Sequence, residues 1–202
     1  MHPNPAFRAE DRARNVAFAR ERAFGVLAVN APDGPLLSHI PFALNEAGNA
    51  ADLHLVRSNP IARLGAVQAV IAVSGPDGYV SPDWYGVADQ VPTWNYVAVH
   101  LRGRLEPLDH GEMRAMLDRQ SADYETRLAP KTPWTTDKMT PQVLDRMMRQ
   151  ILPFRMTVER IDGTWKLGQN KPVEARRAAA AQISSGLGHE LDRLRRLMDE
   201  AD

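Results

Sequence analysis

The chain has 202 residues, and its 25 Lys plus Arg residues balance its 25 Asp plus Glu residues, so the formal net charge at pH 7 is zero. This balance argues against a dedicated nucleic-acid-binding domain, which usually carries a basic surface. The absence of cysteine excludes disulfides, thiol nucleophiles and thiolate metal ligands. The length fits one domain, or one domain with an appendage, and a hydrophobic content of 44% is ordinary for a globular protein.

The first residues lack the apolar core of a signal sequence, and no run of 18 apolar residues occurs in the chain. We therefore expect a cytoplasmic protein with no membrane partner.

The elements predicted along the chain are mainly strands. Predicted helices cover residues 10–22, 110–128, 141–150 and 173–184, with a short helix after Pro60 and a last helix after Gly186. Predicted strands cover residues 24–30, 36–44, 51–57, 67–74, 93–106 and 152–160, and residues 164–170 follow a hairpin at 162–163. Residues 75–78 form a predicted turn. Short strands, turn signals and flanking helices predict a closed or partly closed β-barrel rather than a parallel α/β sheet.

Aromatic residues concentrate between Tyr79 and Tyr96. The chain has four Trp and four Tyr residues, and five of these eight lie in this stretch. Flat rings beside hydroxyl and amide groups suit a flat heteroaromatic ligand, since the rings can stack and the polar groups can bind its edges. A strand corner whose rings only fill the core has the same composition, so both interpretations stay open.

Two cations are candidates for a phosphate site. Arg57 precedes the predicted short helix, whose first amides attract anions. Lys166 follows the predicted hairpin. A surface arginine before a capped helix and a solvated lysine are the alternatives.

Three histidines, His39, His54 and His100, fall on predicted strands. Converging histidines could bind a metal, and one could ligate haem. Their spacing matches no metal-binding motif, so we expect no metal site and histidines that are satisfied by local hydrogen bonds.

Several sequence blocks occur in a distinctive order. They are SHIPF at 38–42, HLVRSNP at 54–60, GPDGYVSP at 75–82, YVSPDWY at 79–85 with VPTWNY at 91–96, and WKLGQN at 165–170. In these blocks the chain resembles the PaiB-like family of FMN-binding negative transcriptional regulators, over nearly its whole length. Gly168 stands where the family usually has Ser, and a DGP turn at 33–35 replaces the commoner glycine pair.

The resemblance implies an FMN-binding split barrel that forms a homodimer, with the flavin near the subunit interface. It places twelve side chains at the family's motif positions: His54, Arg57, Asn59, Ser81, Trp84, Tyr85, Thr93, Trp94, Asn95, Lys166, Gln169 and Asn170. Within this set we expect the two cations to hold the phosphate, the neutral side chains to bind the ribityl chain or ring edge, and the rings to stack. Residues 1–170 are the predicted barrel with inserted helices, and residues 171–202 a helical segment that packs on the barrel or on a partner subunit.

The function that the resemblance implies is that of a flavin-containing transcriptional regulator. A flavin-dependent oxidoreductase of a small molecule that uses NAD(P)H stays open, as does a haem-binding split barrel. No catalytic residue is predicted, because the sequence shows no nucleophile elbow, dinucleotide-binding motif, P-loop or proton-transfer dyad; a flavin would carry any chemistry. The neutral charge and the lack of a recognisable helix-turn-helix motif count against direct reading of DNA.

Overall fold

The computed structural model describes residues 2–9 and 11–201 and divides the chain into two compact units. Unit 1 comprises the chain up to Phe18, Val73–His100 and the chain from Ile161 on. Unit 2 comprises Ala19–Ala72 and Leu101–Arg160.

The described residues contain eight strands, which form one sheet. They are β1 (Arg8–Ala9), β2 (Phe24–Val29), β3 (Leu36–Leu44), β4 (Ala50–Val56), β5 (Val67–Val80), β6 (Thr93–Pro107), β7 (Ile151–Lys166) and β8 (Gly188–His189). The strand order is β1-β7-β4-β3-β2-β5-β6, with β8 beside β5 and a further pairing of β6 with β7. This last pairing closes β2 to β7 into a six-stranded antiparallel barrel, which confirms the predicted architecture.

Helices flank the strands. In the described part of the chain these are α1 (Arg12–Arg22), α2 (Met113–Thr126), α3 (Pro141–Met148), α4 (Val173–Ile183) and α5 (Leu191–Glu200). Short 3-10 helices lie at Pro5–Phe7, Pro60–Arg63, Pro82–Tyr85, His110–Glu112 and Thr136–Lys138. None of the helices among these residues is long and apolar enough to cross a membrane.

The core of unit 2 follows from alternating apolar residues on neighbouring strands. In β4 the alternate residues Leu53 and Leu55 are buried. Leu53 lies directly opposite Phe42 of β3 and Phe154 of β7, and all three are fully buried. Burial of side chains of this size stabilises the fold by about 1.5–3 kcal/mol each.

In unit 1 the two C-terminal helices pack against the second half of β5. A Cβ atom on Gly78 would lie only 2.8 Å from Leu194 Cδ2 and 3.1 Å from Ile183 Cδ1, so the helices approach the strand closely at this glycine. Leu194 and Met198 of α5 are fully buried, whereas Leu187 lies before α5 and is exposed. The predicted domain boundary at residue 170 stays a prediction.

Two predicted turns were wrong, because both lie inside strands. Residues 75–78 belong to β5 and residues 162–163 belong to β7. At Gly163 the reason is a close approach, since a Cβ atom there would lie 2.1 Å from Asn15 Oδ1. The same Asn15 oxygen accepts a hydrogen bond of 2.9 Å from Trp165 Nε1. Glycine therefore serves contact with α1 here rather than a change of chain direction.

The predicted helix boundaries are otherwise close to the observed ones. The short helix after Pro60 is a 3-10 helix of four residues. The predicted start of the first helix, Glu10, lies outside the described residues, and α1 begins at Arg12.

Candidate functional site

The predicted binding residues divide between the two units. Unit 1 contains Ser81, Trp84, Tyr85, Thr93, Trp94, Asn95, Lys166, Gln169 and Asn170, and unit 2 contains His54, Arg57 and Asn59. In unit 1 they lie on three segments: the 3-10 helix Pro82–Tyr85 with the residue before it, the start of β6, and the end of β7 with the turn that follows it.

Lys166 is a half-buried cation at the end of β7. Its ammonium donates a hydrogen bond to Thr93 Oγ1, at the start of β6, and lies 5.8 Å from the centre of the Phe7 ring. No carboxylate among the described residues pairs with it. Burial and, less strongly, the nearby charge of Lys171 lower its pKa below the usual value for lysine. A cation left without a counter-charge in this way favours an anionic ligand.

Lys171 contributes a second cation to the same segment. Its Nζ atom donates a hydrogen bond of 2.6 Å to Gln90 Oε1 and lies 5.3 Å from the centre of the Tyr85 ring. Tyr85 itself is buried, and burial raises the pKa of its hydroxyl. Tyr85 therefore belongs to the core of unit 1, where Lys171 covers part of its ring.

The other two predicted stacking residues differ in exposure. Trp94 is 44% exposed and packs edge-on against Tyr79, with 6.3 Å between the ring centres. Trp84 is half-buried, and a Cβ atom on Gly186 would lie 3.1 Å from its ring. Of the three predicted rings, that of Trp94 offers the most open surface to a ligand.

Some of the predicted amides are already used by the fold. Gln169 Oε1 accepts a hydrogen bond of 2.8 Å from the Leu167 amide, and Gln169 Nε2 donates one of 2.6 Å to the Trp165 carbonyl. Asn95 is 1% exposed, with Nδ2 at 3.5 Å from Met198 Sδ. Asn170 is exposed, and the Ser81 hydroxyl has no partner among the described residues. Asn170 and Ser81 thus keep hydrogen-bonding capacity for a ligand.

In unit 2, Asn59 links two of the sequence blocks. Its Oδ1 atom accepts a hydrogen bond of 2.9 Å from the Ile61 amide and so caps the 3-10 helix, while Nδ2 donates one of 3.1 Å to Ser38 Oγ. Arg57 is exposed, and its Nε donates to the Arg149 carbonyl. The terminal nitrogens of Arg57 have no acceptor in the described part of the chain.

His54 faces a polar network on α2. Burial lowers its pKa, an effect that a hydrogen bond with Gln120 partly offsets, and its Nδ1 atom is buried without a partner among the described residues. Gln120 donates to the Tyr124 hydroxyl at 3.2 Å, and this hydroxyl lies 3.1 Å from the Phe42 carbonyl oxygen. The imidazole is therefore favoured in its neutral form.

A cavity of about 650 Å³ in unit 2 contains none of the predicted residues, and its charges compensate one another. Arg155 binds both oxygens of Asp52, at 2.7 and 3.0 Å, and Arg119 binds the same carboxylate at 3.2 Å. The hydrogen bonds to Asp52 raise the pKa of Arg155. Lys166 and Lys171 in unit 1 have no such carboxylate partner within the described part of the chain.

Sequence reasoning missed one charged residue of unit 1, Arg176. It lies in α4 and is 4% exposed. The spacing of the helix contains an indication of this burial. Arg176 is three, four and seven residues before Ala179, Ala180 and Ile183, which are all buried. This spacing marks the buried face of a helix, and an arginine on that face is unusual.

The sequence profile of a family described as "Putative FMN-binding domain" matches residues 1–160. The chain belongs to this family. It is the PaiB-like family that the ordered sequence blocks resemble. The matched segment includes the aromatic stretch and Arg57, whereas Lys166, Lys171 and Arg176 lie beyond it.

A relative in Bacillus subtilis (strain 168), named protease synthase and sporulation protein PAI 2, supports the same membership. The two sequences are 30% identical over 158 residues, which are 76% of this chain and 75% of the relative.

Solved structures with low sequence identity have the same fold. The FAD and haem binding protein from Mycobacterium smegmatis is 18% identical with a TM-score of 0.58, over 90% of this chain and 81% of that protein. The flavocytochrome Anf3 from Azotobacter vinelandii is 14% identical with a TM-score of 0.56, over 82% and 72% of the two chains. The PaiB-like chain thus has the FMN-binding type of split barrel, as predicted.

Proposed function

We propose that this PaiB-like protein binds FMN and acts as a flavin-containing regulator. The observation that carries the proposal is Lys166, a half-buried cation with no carboxylate partner among the described residues, which is bound to Thr93, the residue before the exposed Trp94 on β6.

The side chains of unit 1 fit the chemical parts of FMN. A phosphate dianion needs a cation, which Lys166 supplies. An isoalloxazine ring needs an aromatic or apolar surface, which Trp94 supplies, and ribityl hydroxyls need polar partners such as Ser81 and Asn170. A bound flavin would supply electron transfer, while these residues would bind it and fix its orientation. The family description supports FMN rather than another flavin.

Lys166 and Trp94 are tested separately. Lys166 is bound to Thr93, and Thr93 and Trp94 are successive residues of β6, which point to opposite faces of the strand. We expect Lys166→Ala to weaken FMN binding by about 10- to 100-fold, since a hydrogen bond to a charged group contributes about 1.5–3 kcal/mol. Riboflavin has no phosphate, so its affinity should not change. Trp94→Ala should instead weaken FMN and riboflavin by the same factor, because both contain the ring.

Fluorescence titration with FMN and with riboflavin measures both effects. Lys138→Ala changes an exposed lysine and serves as the control. Arg57→Ala belongs in the same series, because Arg57 is the second predicted phosphate ligand and its terminal nitrogens are available in unit 2. Unchanged FMN affinity in both the Arg57 and the Lys166 variants would rule out the phosphate assignment.

A regulatory role agrees with the name of the Bacillus relative as a sporulation protein. The zero net charge favours action through a flavin or a partner over direct DNA binding. Bleaching of the flavin band by NAD(P)H would instead assign the protein to the oxidoreductases.

We also propose that the functional form is a homodimer in the cytoplasm. The outward face of three adjacent strands in unit 2 supports dimerisation, because apolar side chains lie side by side on it. Val26 of β2 lies opposite His39 of β3 and Ala72 of β5, and Ala28 lies opposite Leu37 and Val70. Leu37 is 62% exposed on this face, and a second copy of the chain would cover it.

A further inference from the structure

Arg176 is a charged side chain in a position that normally holds an apolar one. It lies on the face of α4 that contains Ala179, Ala180 and Ile183, and it is 4% exposed. An arginine keeps its positive charge at any pH at which the protein is folded. The fold therefore contains a permanent cation that water hardly reaches.

No group in the described part of the chain neutralises this charge. The Nε atom of Arg176 is buried and has no hydrogen-bond partner, and its guanidinium forms no ion pair with a described residue. A buried charge without a partner is strongly unfavourable, whereas a paired and hydrogen-bonded one is tolerated. An anion from outside the chain would supply the missing partner.

The surroundings of Arg176 contain further groups that favour an anion. A Cβ atom on Gly168 would lie 3.4 Å from Arg176 Cγ and 3.6 Å from Asn95 Nδ2, so the arginine stem and the buried amide both border this glycine. Gly168 lies in the turn between Lys166 and Lys171, which also lack carboxylate partners among the described residues.

The beginning of α4 adds main-chain donors. The helix starts at Val173, and the residue before it, Pro172, has no side chain that could cap the first amides. These amides carry the positive end of the helix dipole. The one acidic residue of this first turn, Glu174, is exposed and forms no ion pair among the described residues.

We propose that Arg176, with Asn95, Lys171 and the first turn of α4, forms a binding site for a phosphate-type oxyanion. The planar guanidinium can bind two oxygens of such an anion at once, and the lysine adds a point charge. Two ligands carry this chemistry: the terminal phosphate of a flavin and a free phosphate. Only the first of these rests on the function proposed above.

Thermal unfolding in phosphate, compared with chloride at equal ionic strength, tests the site without any flavin. We expect phosphate to raise the Tm of the wild type and of Arg177→Gln, the matched control, in which the exposed neighbouring arginine is changed. Arg176→Gln should lose this rise. In chloride it should be at least as stable as the wild type, because the uncompensated charge is gone.

Lys171→Gln is the second variant, since Lys171 is less buried than Arg176. We expect it to weaken phosphate binding about tenfold and, because its hydrogen bond to Gln90 is lost, to lower the Tm in chloride slightly. An equal phosphate-induced rise in Arg176→Gln and Arg177→Gln would overturn the proposal, and so would a wild type whose Tm does not respond to phosphate.

Flavin titrations identify the source of the phosphate. If the flavin phosphate occupies the site, Arg176→Gln loses the preference for FMN over riboflavin and free phosphate competes with FMN. If a free phosphate occupies it, this preference remains and FMN and phosphate bind together. A protein that retains no flavin would contradict the proposed function, yet it would leave the response to phosphate as an independent test of the site.

Discussion

Lys166 combines partial burial with a charge that no described carboxylate neutralises, and this combination determines its dependence on pH. Its pKa is lowered by burial first and by Lys171 second. A lysine is cationic below its pKa, so Lys166 loses its charge at a lower pH than a free lysine does. We therefore expect FMN affinity to fall with rising pH already below the pH of about 10.5 at which an ordinary lysine titrates.

Lys166→Arg provides the comparison for this pH dependence, because arginine stays charged over the whole range. Fluorescence titrations at a series of pH values should give an affinity that falls with pH in the wild type and stays nearly constant in Lys166→Arg. Identical profiles for the two proteins would show that Lys166 does not bind the phosphate.

His54 makes the stability of unit 2 depend on pH in the acid range. Its lowered pKa means that the unfolded chain binds more protons than the folded chain between the folded pKa and the usual value of about 6.5. The free energy of unfolding therefore falls as the pH drops through this interval. We expect His54→Gln to reduce this loss of stability, as measured by urea unfolding at about pH 7.5 and about pH 5.

His110→Gln is the matched control for that experiment, because His110 lies in the 3-10 helix His110–Glu112 of the same unit and is exposed. We expect the His110→Gln variant to lose as much stability on acidification as the wild type does. If His54→Gln also matched the wild type, burial of the imidazole would not be the cause.

At the scale of elements, closure of the barrel depends on the contact between β6 and β7. A Cβ atom on Gly103 would lie 1.9 Å from the Thr157 carbonyl oxygen, a distance that no side chain can occupy. Gly103→Ala must push the two strands apart, and we expect it to destabilise the protein by at least about 2 kcal/mol in urea unfolding.

Gly111→Ala is the comparison for this substitution. Its Cβ atom would meet only the Asp109 side chain, at 2.9 Å, and this side chain can move. A clearly smaller destabilisation is expected. Equal effects of the two substitutions would mean that the contact between β6 and β7 does not limit packing.

The elements also show what a sequence can predict. Alternation along β4 and β6 predicts which side chains share one face of each strand, because successive residues point to opposite sides. The sequence indicates turns at Gly78 and Gly163. In the structure both lie in strands, at positions where a helix packs closely against the strand. A missing side chain permits both a turn and a close approach of two elements, and the sequence alone does not distinguish them.

The candidate site was predictable in part, for a related reason. Ordered motifs identified the segments that contain Thr93, Trp94 and Lys166, and the structure brings Lys166 to Thr93. The sequence does not reveal that the side-chain amide of Gln169 forms hydrogen bonds through both its oxygen and its nitrogen to the main chain of Leu167 and Trp165. The burial of Arg176 was not predicted, because it depends on which face of α4 packs against the rest of unit 1. The alanines of that helix give only a weak apolar pattern, so the sequence does not identify this face.

At the scale of the whole molecule, the proposed dimer depends on the apolar outward face of β2, β3 and β5. We expect light scattering to give twice the chain mass of 22.5 kDa for the wild type. Leu37→Glu places a charge on this face and should give a monomer, because desolvation of an unpaired carboxylate is unfavourable. Leu128→Glu, at another exposed leucine, should remain a dimer. A monomeric wild type would contradict the proposed assembly.

The central claim is that this chain binds FMN, and an absorption spectrum tests it most directly. Purified protein is mixed with FMN, freed of unbound flavin by desalting, and scanned. We expect a retained flavin band, of stoichiometric intensity in the wild type and reduced in Lys166→Ala. A protein that retains no flavin would contradict the account, and a haem band in its place would direct attention to the haem-binding alternative.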